Sequence, residues 1–277
     1  MEHLKNYLQA NKARKEAPAR DASQIGNRLH EVFDRMAAQS AMKGHSPRLA
    51  TGFEDVDEMI GGLELGELVA INGLPGAGRT AIALEIALQT AKNTQLPILI
   101  YSQNHAAQQI TRRLLSMLAG VPISCIENAQ LEDTQWNALY SASAWLQEQD
   151  IRIFEIDQTL PELCATIRRQ NTPALVIIDG LPDNQLWQEP MRILKALASE
   201  TACCVVFTGC YPDTAPYIAG GVDKVFHLDW YTEQENTFEI KWNRTGKNVC
   251  TILIWQEECL RFLPYLSGGM NDAAKFV

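Results

Sequence analysis

The sequence contains no apolar run of the roughly 18 residues that a membrane span requires. Residues 1–20 (MEHLKNYLQANKARKEAPAR) include no apolar core and no small-residue cleavage site, so we expect no secretory signal. The chain also lacks internal repeats and low-complexity tracts, which argues against a repeat architecture. Together these absences predict a cytoplasmic protein without membrane contact.

Paired cysteines and clustered histidines are missing as well. The seven cysteines are an odd number, none belongs to a C-x-x-C pair, and the five histidines are scattered along the chain. A structural zinc site needs closely spaced thiolate and imidazole ligands, so we expect neither zinc nor a disulfide framework. Cys203 and Cys204 are adjacent in an apolar run, which is typical of buried, reduced thiols.

Positive charge is scarce outside the N-terminus. The chain has 24 Lys and Arg against 33 Asp and Glu, a net charge of -9. Residues 1–20 hold five basic and two acidic residues, a balance of +3, so the remainder carries -12. An acidic body argues against broad, non-specific binding to duplex DNA, because neutralising phosphates needs a basic face, but it leaves a narrow basic channel open. We interpret residues 1–20 as a flexible basic arm.

An amphipathic helix is predicted directly after this arm. Asp21 can cap it, and one apolar stripe at helical spacing consists of Ile25, Leu29, Val32, Phe33 and Met36. Gly44 and Pro47 then break the pattern, so we interpret residues 21–50 as a helix and its linker. The helix must bury its stripe on its own domain or on a neighbouring subunit, and the sequence leaves both open.

From Gly52 onward, short apolar runs alternate with amphipathic segments. This alternation predicts an α/β domain with a mainly parallel, buried sheet. The candidate strands are residues 67–72, 98–102, 151–156, 174–179, 204–208, 225–228, 238–242 and 250–255. The candidate helices are residues 80–92, 106–118, 132–147, 161–169 and 189–200. No helix separates the last two strands, so we expect an antiparallel extension there.

A glycine-rich turn between the first strand and the first of these helices is the most informative segment. Residues 73–80 read GLPGAGRT, which is the G-x-x-x-x-G-K-T phosphate loop with Arg79 at the lysine position. Glycines let backbone N–H groups surround a phosphate, and the helix N-terminus adds partial positive charge. The alternative is a turn that binds nothing. The predicted nucleotide-binding residues are Gly73, Gly76, Ala77, Gly78, Arg79 and Thr80.

Two oxygen-bearing side chains predict a magnesium site beside this loop. The hydroxyl of Thr80 is placed to coordinate Mg²⁺. Asp179 ends an apolar strand whose tip faces the phosphate loop in such folds, so it could hold a water of the magnesium shell rather than simply form a turn.

Arg79 can pair with phosphate, but its planar fork is expected to stabilise a transferring phosphoryl group less well than a compact ammonium.

Several motifs in order along the chain resemble the motor domain of DnaB-type replicative helicases. Residues 51–57 (TGFEDVD) and 61–68 (GGLELGEL) are similar to that family's TGF-x-x-LD and GGL-x-x-GEL. The resemblance covers about residues 21–263. Recombinase-like and KaiC-like proteins share the core, but the helix around Trp136 and the region around Arg244 favour the DnaB type.

The resemblance implies a RecA-like, three-layer P-loop NTPase fold over residues 51–265, with residues 266–277 as a flexible tail. It implies ATP and Mg²⁺ bound between the subunits of a hexameric ring that moves along single-stranded DNA. The helix at 21–36 corresponds to a linker helix that docks on the adjacent subunit. Arg244 corresponds to the arginine finger, which reaches a neighbour's γ-phosphate.

Departures from the family pattern fall where chemistry occurs. Residues 101–105 (YSQNH) stand in place of F-S-L-E-M, so Asn104 replaces the glutamate that activates the attacking water. An amide cannot accept that proton, and losing such a base typically slows catalysis ~10²–10⁴-fold. Cys210 replaces a glutamine that senses the γ-phosphate, and Trp242 replaces a lysine. Residues 211–221 contain no Lys or Arg, whereas a groove for single-stranded DNA needs positive charge.

Two hypotheses follow. The favoured one is a pseudoenzyme: a DnaB-like paralogue that binds nucleotide, hydrolyses it poorly or not at all, and acts as a homo-oligomer or as a partner in a DNA replication or helicase machine. The alternative is an active, hexameric 5'-3' DNA helicase that uses Arg79 in place of the lysine. Its base would then be Glu85, Glu155 or His105, and the sequence does not select among them.

Overall fold

The computed structural model describes residues 25, 26, 29, 33, 48–170, 172–180, 188–210, 221–230, 235–244, 246 and 249–264. The chain divides into two compact units, Met1–Pro47 and Arg48–Val277. In the first unit, residues 25, 26, 29 and 33 are helical, at positions within the predicted helix. The arm 1–20 and the tail 266–277 lie outside the described residues, and the predicted boundaries at 20, 50 and 265 stay predictions.

The second unit is built on one sheet. Its described strands are Leu68–Gly73 (β1), Ile98–Ser102 (β2), Ile151–Glu155 (β3), Leu175–Asp179 (β4), Cys204–Gly209 (β5), Lys224–Trp230 (β6), Glu235–Asn243 (β7), Val249–Gln256 (β8) and Arg261–Pro264 (β9). Their order is β3-β2-β4-β5-β1-β6-β7-β8-β9. The pairs from β3 to β6 are parallel, and those from β6 to β9 are antiparallel. The predicted mainly parallel sheet and its antiparallel extension are confirmed, and β9 lengthens the extension.

Helices connect the parallel strands. Those described in this unit are Glu54–Ile60 (α1), Arg79–Asn93 (α2), Ala107–Ala119 (α3), Ile123–Asn128 (α4), Asp133–Gln147 (α5), Leu160–Gln170 (α6) and Gln188–Thr201 (α7). Within the described residues, no helix has the length and apolar character to cross a bilayer. The sequence did not predict α1 and α4, because helices of seven and six residues are too short to display a clear period.

The helices cover both faces of the sheet, because its central strands are apolar on both sides. Along β1, Val69 and Ile71 pack with Ile82 of α2 in one cluster. Leu68 and Ala70, which alternate with them, pack with residues of α6 and α7 in a second cluster. Every residue of β1, β2, β4 and β5 is buried, as expected for parallel strands covered on two faces. The result is the predicted three-layer arrangement.

A buried ion pair lies where the neighbouring strands β1 and β6 begin. The ammonium of Lys224, which is 2% exposed, donates to both carboxylate oxygens of Glu67. Beside it, the carboxylate of Asp223 accepts hydrogen bonds from the backbone N–H of Leu68 at 2.8 Å and from Lys195 Nζ at 2.6 Å. These charges stay buried because each has a partner of opposite charge.

Removing one member of this ion pair should destabilise the fold, because the other charge is left buried without compensation. We expect Glu67→Gln to lower the free energy of unfolding by about 3–5 kcal/mol. The control is Asp150→Asn, which breaks the exposed Asp150–Arg152 pair and should cost about 0–1 kcal/mol. Urea denaturation measures both variants, and equal losses would contradict the expectation.

Candidate functional site

The turn at residues 73–80 has the backbone form of a phosphate cradle. It connects the end of β1 to the start of α2 at the centre of the sheet. Gly76 and Gly78 have φ of 86° and 89°, in the left-handed region that residues with a Cβ rarely adopt. Gly78 is the N-cap of α2, so the first N–H groups of α2 have no partner within the helix. A helix N-terminus of this kind suits an anion.

Two aromatic side chains of the C-terminal strands support this turn. Phe262 of β9 is 3% exposed, and a Cβ built on Gly78 would lie only 2.5 Å from the Phe262 ring. Trp255 of β8 packs on Phe262, with ring centroids 4.8 Å apart. Gly78 therefore has two reasons to be glycine, its positive φ and this close contact. Local sequence patterns gave no signal for the contact, which joins the first and last thirds of the chain.

Four side chains converge on the carboxylate of Asp179, which is 1% exposed. Its Oδ1 accepts hydrogen bonds from the hydroxyls of Thr80 at 2.9 Å and Thr208 at 3.0 Å. Its Oδ2 is 3.3 Å from Ser102 Oγ, which donates to it, and 3.0 Å from His105 Nδ1. Burial alone raises the pKa of Asp179, but the hydrogen bonds outweigh burial and hold the pKa below its ordinary value. The carboxylate is therefore ionised at neutral pH.

The residue types at this position fit a magnesium ion that accompanies a nucleotide. Thr80 and Asp179 bring a hydroxyl and a carboxylate together beside the phosphate cradle, and Mg²⁺ prefers oxygen ligands. In the part of the chain that the structure describes, no group of three or more His, Cys, Asp or Glu side chains could hold a metal by itself. A magnesium ion here would depend on phosphate oxygens and water as well.

Asn104 lies at the same edge of the sheet as Asp179. Its side chain is exposed and packs over Gly180, the residue after Asp179, where an added Cβ would be 2.4 Å from Asn104 Nδ2. The structure therefore brings the predicted base position and the predicted metal position together. The group it places there is an amide, which has no proton-accepting role in activating water.

The three alternative bases have different surroundings. Glu155 Oε1 accepts a hydrogen bond from the backbone N–H of Ala107 at 2.9 Å, so it caps the start of α3. Glu85 Oε1 accepts from Gln89 Nε2 at 2.9 Å, and a Cβ on Gly52 would lie 2.9 Å from the Glu85 side chain. His105 alone of the three contacts Asp179. The structure thus selects His105 as the candidate closest to the site.

Arg244 lies at the other end of the sheet. Its Nε is 3.2 Å from Asp223 Oδ1, and Asp223 also accepts from the N–H of Leu68, the first residue of β1. The phosphate cradle follows the last residue of β1, which has six residues and so spans about 20 Å. Arg244 therefore cannot reach the cradle of its own chain, and a role as arginine finger requires a neighbouring subunit.

The other two departures from the family pattern, Cys210 and Trp242, lie at opposite ends of the strands. Cys210 is exposed and follows β5, whose last residue, Gly209, is level with Asn72 at the cradle end of β1. Trp242 is at the Arg244 end, where its indole N–H donates to Val222 O at 3.1 Å. The loop 211–221, apart from Gly221, lies outside the described residues.

A family model described as the DnaB-like helicase C terminal domain matches residues 48–209, more than half of the chain. The chain belongs to the DnaB-like helicase C-terminal domain family. The match covers β1 to β5 together with the cradle, Asn104 and Asp179, so the resemblance found in the sequence motifs is confirmed.

Relatives of this DnaB-like chain are replicative helicases. Replicative DNA helicase DnaB of Nostoc sp. is 29% identical over 174 residues, which cover 58% of this chain and 20% of that protein. A probable replicative DNA helicase of Trieres chinensis is 32% identical over 162 residues, covering 54% of this chain and 35% of that protein. The matched part thus spans only about a fifth to a third of the length of these two proteins.

Solved structures support the fold assignment. One of them, described as an ATPase domain, has a TM-score of 0.73 and 18% sequence identity, covering 89% of this chain and all of that one. A DnaB-like replicative helicase, described with its interactions with primase, has a TM-score of 0.68 and 17% identity, covering 93% of this chain and 70% of that one. At such identities the likeness shows the RecA-like fold alone.

The close contact at Gly78 gives a test of the cradle. We expect Gly78→Ala to lower the free energy of unfolding by more than about 2 kcal/mol, because it adds a clash with Phe262 to the strain of a positive φ. Gly120→Ala is the matched control: Gly120 also has positive φ, but an added Cβ would meet nothing within 4 Å. It should lose only about 1 kcal/mol. Thermal unfolding compares the two variants, and similar losses would argue against the Phe262 contact.

Proposed function

We propose that this chain binds ATP with magnesium at the cradle of residues 73–80 and hydrolyses it slowly or not at all. It acts in the cytoplasm as a non-catalytic DnaB-like paralogue, assembled with copies of itself or with a partner of the DNA replication machinery. The observation that carries this proposal is the contrast between an intact cradle and an amide at the base position.

Nucleotide binding is supported by the backbone conformation of the cradle and by the polar and charged side chains beside it. Gly76 and Gly78 hold the left-handed conformations that a phosphate cradle needs, and α2 points its N-terminus at the turn. Thr80 and Asp179 place a hydroxyl and a carboxylate beside the cradle, the oxygen groups that magnesium prefers as ligands. Arg79, which is partly buried, carries a permanent positive charge at the first position of α2.

Impaired hydrolysis is supported by the chemistry of the same edge. Asn104 cannot take a proton from water, and the carboxylates of Glu85 and Glu155 accept hydrogen bonds away from Asp179. Phosphoryl transfer depends mainly on positioned charge and a placed water. A site that keeps the cradle but has an amide at the base position would therefore bind nucleotide and hydrolyse it slowly.

Assembly is supported by the position of Arg244. Because Arg244 and the cradle lie at opposite ends of β1, a head-to-tail arrangement of subunits would bring one chain's Arg244 to another chain's nucleotide. The DnaB-like neighbour whose description includes primase suggests that a replication protein is a suitable partner class. Single-stranded DNA is a less favoured ligand, since residues 211–221 contain no Lys or Arg.

A second candidate function is the active, hexameric 5'-3' helicase with Arg79 in place of lysine. One observation favours it: His105 lies 3.0 Å from Asp179, so an imidazole is present beside the predicted magnesium position. An imidazole can act as a general base where an amide cannot.

Steady-state ATP hydrolysis with and without single-stranded DNA separates the two functions. We expect turnover near background in both conditions, since the predicted base position holds the amide of Asn104. A thermal shift with ATP and magnesium tests binding at the same time, because a ligand at about 100 times its Kd adds roughly 2.7 kcal/mol. DNA-stimulated turnover that Asp179→Ala abolishes would favour the helicase instead.

Restoring the missing groups gives a complementary test. If the site lacks only its base and its compact cation, Asn104→Glu combined with Arg79→Lys should raise ATP turnover at least about tenfold over the wild type. The matched control is Asn104→Gln with Arg79→Lys, which has the same size at residue 104 but no carboxylate. Equal turnover in the two double variants would mean that the loss of the base does not limit hydrolysis.

A further inference from the structure

The carboxylate of Asp179 has used its full capacity to accept hydrogen bonds. An ionised carboxylate offers about four lone-pair positions. Two of them accept from Thr80 and Thr208, and two accept from Ser102 and His105. A water molecule of a magnesium shell could bind this carboxylate only if one of the four donors left.

The four donors differ in how easily they could leave. Thr208 and Ser102 are 2% exposed, and each hydroxyl also accepts a backbone hydrogen bond, from Gly180 at 2.8 Å and from His105 at 3.0 Å. Thr80 could keep its hydrogen bond while its remaining lone pairs face a metal. His105 is the partly exposed member, with a side chain that is 21% exposed.

His105 must be the donor in its contact with Asp179. The hydroxyls of Ser102 and Thr208 each accept a backbone N–H and so donate to the carboxylate, one to each of its oxygens, which leaves Oδ2 an acceptor toward the imidazole Nδ1–H. Methionine, which stands at the corresponding place in the F-S-L-E-M motif, has no hydrogen to donate. His105 thus fills an acceptor position on Oδ2 that a methionine would leave free.

From this geometry we infer that His105 occupies the place of a magnesium-shell water, so that nucleotide binding by this chain depends only weakly on magnesium. The inference rests on the proposed nucleotide site and refines its metal requirement. The negative charge of the phosphates is then met by the N–H groups of the cradle and by the guanidinium of Arg79. Arg79 in place of the family's lysine and His105 in place of its methionine thus both reduce the dependence of nucleotide binding on magnesium.

Isothermal titration calorimetry with the imido analogue of ATP tests the inference on the full chain, once in excess magnesium and once in EDTA. For the wild type, we expect the two Kd values to agree within about threefold. For His105→Met, the freed acceptor position should let a shell water bind, so removal of magnesium should weaken binding at least about tenfold. A His105→Met variant with the wild-type response would overturn the inference.

The matched control is His227→Ala. His227 lies at the middle of β6, and its Nδ1 is 3.1 Å from Asn72 Nδ2 near the C-terminal end of β1. Asn72 follows Leu68 and Ala70 in the alternation along β1, so this pair is on the sheet face opposite α2 and Asp179. This variant should keep the magnesium response of the wild type. His105→Ala repeats the test if His105→Met melts early.

The outcomes separate the two proposals. No heat of binding by wild type in either buffer would remove the proposed nucleotide site itself. Wild-type binding in magnesium that disappears in EDTA would keep that site and overturn the role of His105. Equal wild-type binding in both buffers, together with a magnesium-dependent His105→Met variant, would support both.

Discussion

The buried carboxylate of Asp179 is the group on which the candidate site depends. Burying a charge without compensation costs several kcal/mol, so its hydrogen bonds must replace the lost water. The donors come from α2, β5, the end of β2 and the turn after β2. One carboxylate thus relates three neighbouring strands to the helix that begins at the phosphate cradle, and it does so at the point where a phosphate would arrive.

The opposite end of the sheet repeats this arrangement with different chemistry. Asp223 collects a backbone N–H, the ammonium of Lys195 and the guanidinium of Arg244. Each end of the strands therefore contains an acid surrounded by donors. At the Asp179 end, one of these donors is Thr80, in the first turn of the helix that follows the cradle. The two ends could complement each other only between subunits, since β1 keeps them apart within one chain.

Much of the fold could be predicted because its signals are local. Buried parallel strands such as β4 are continuous apolar runs, and the spacing of glycines in residues 73–80, between a predicted strand and a predicted helix, indicates the cradle. The short α1 and α4 were missed because they span too few residues to show a period. The site was harder, since the partners of His105, Glu155 and Arg244 come from other elements, and residue type alone does not indicate whether a histidine will contact an aspartate or solvent.

The contact between Phe262 and Gly78 has a consequence for how the protein is made. The cradle is translated early, but the ring that holds it is added only after most of the domain has left the ribosome. A nascent chain therefore carries the complete glycine-rich segment for many seconds before that segment has its support, since synthesis proceeds at about 5–20 residues per second. The cradle would gain the support of Phe262 only once β9 has joined the sheet.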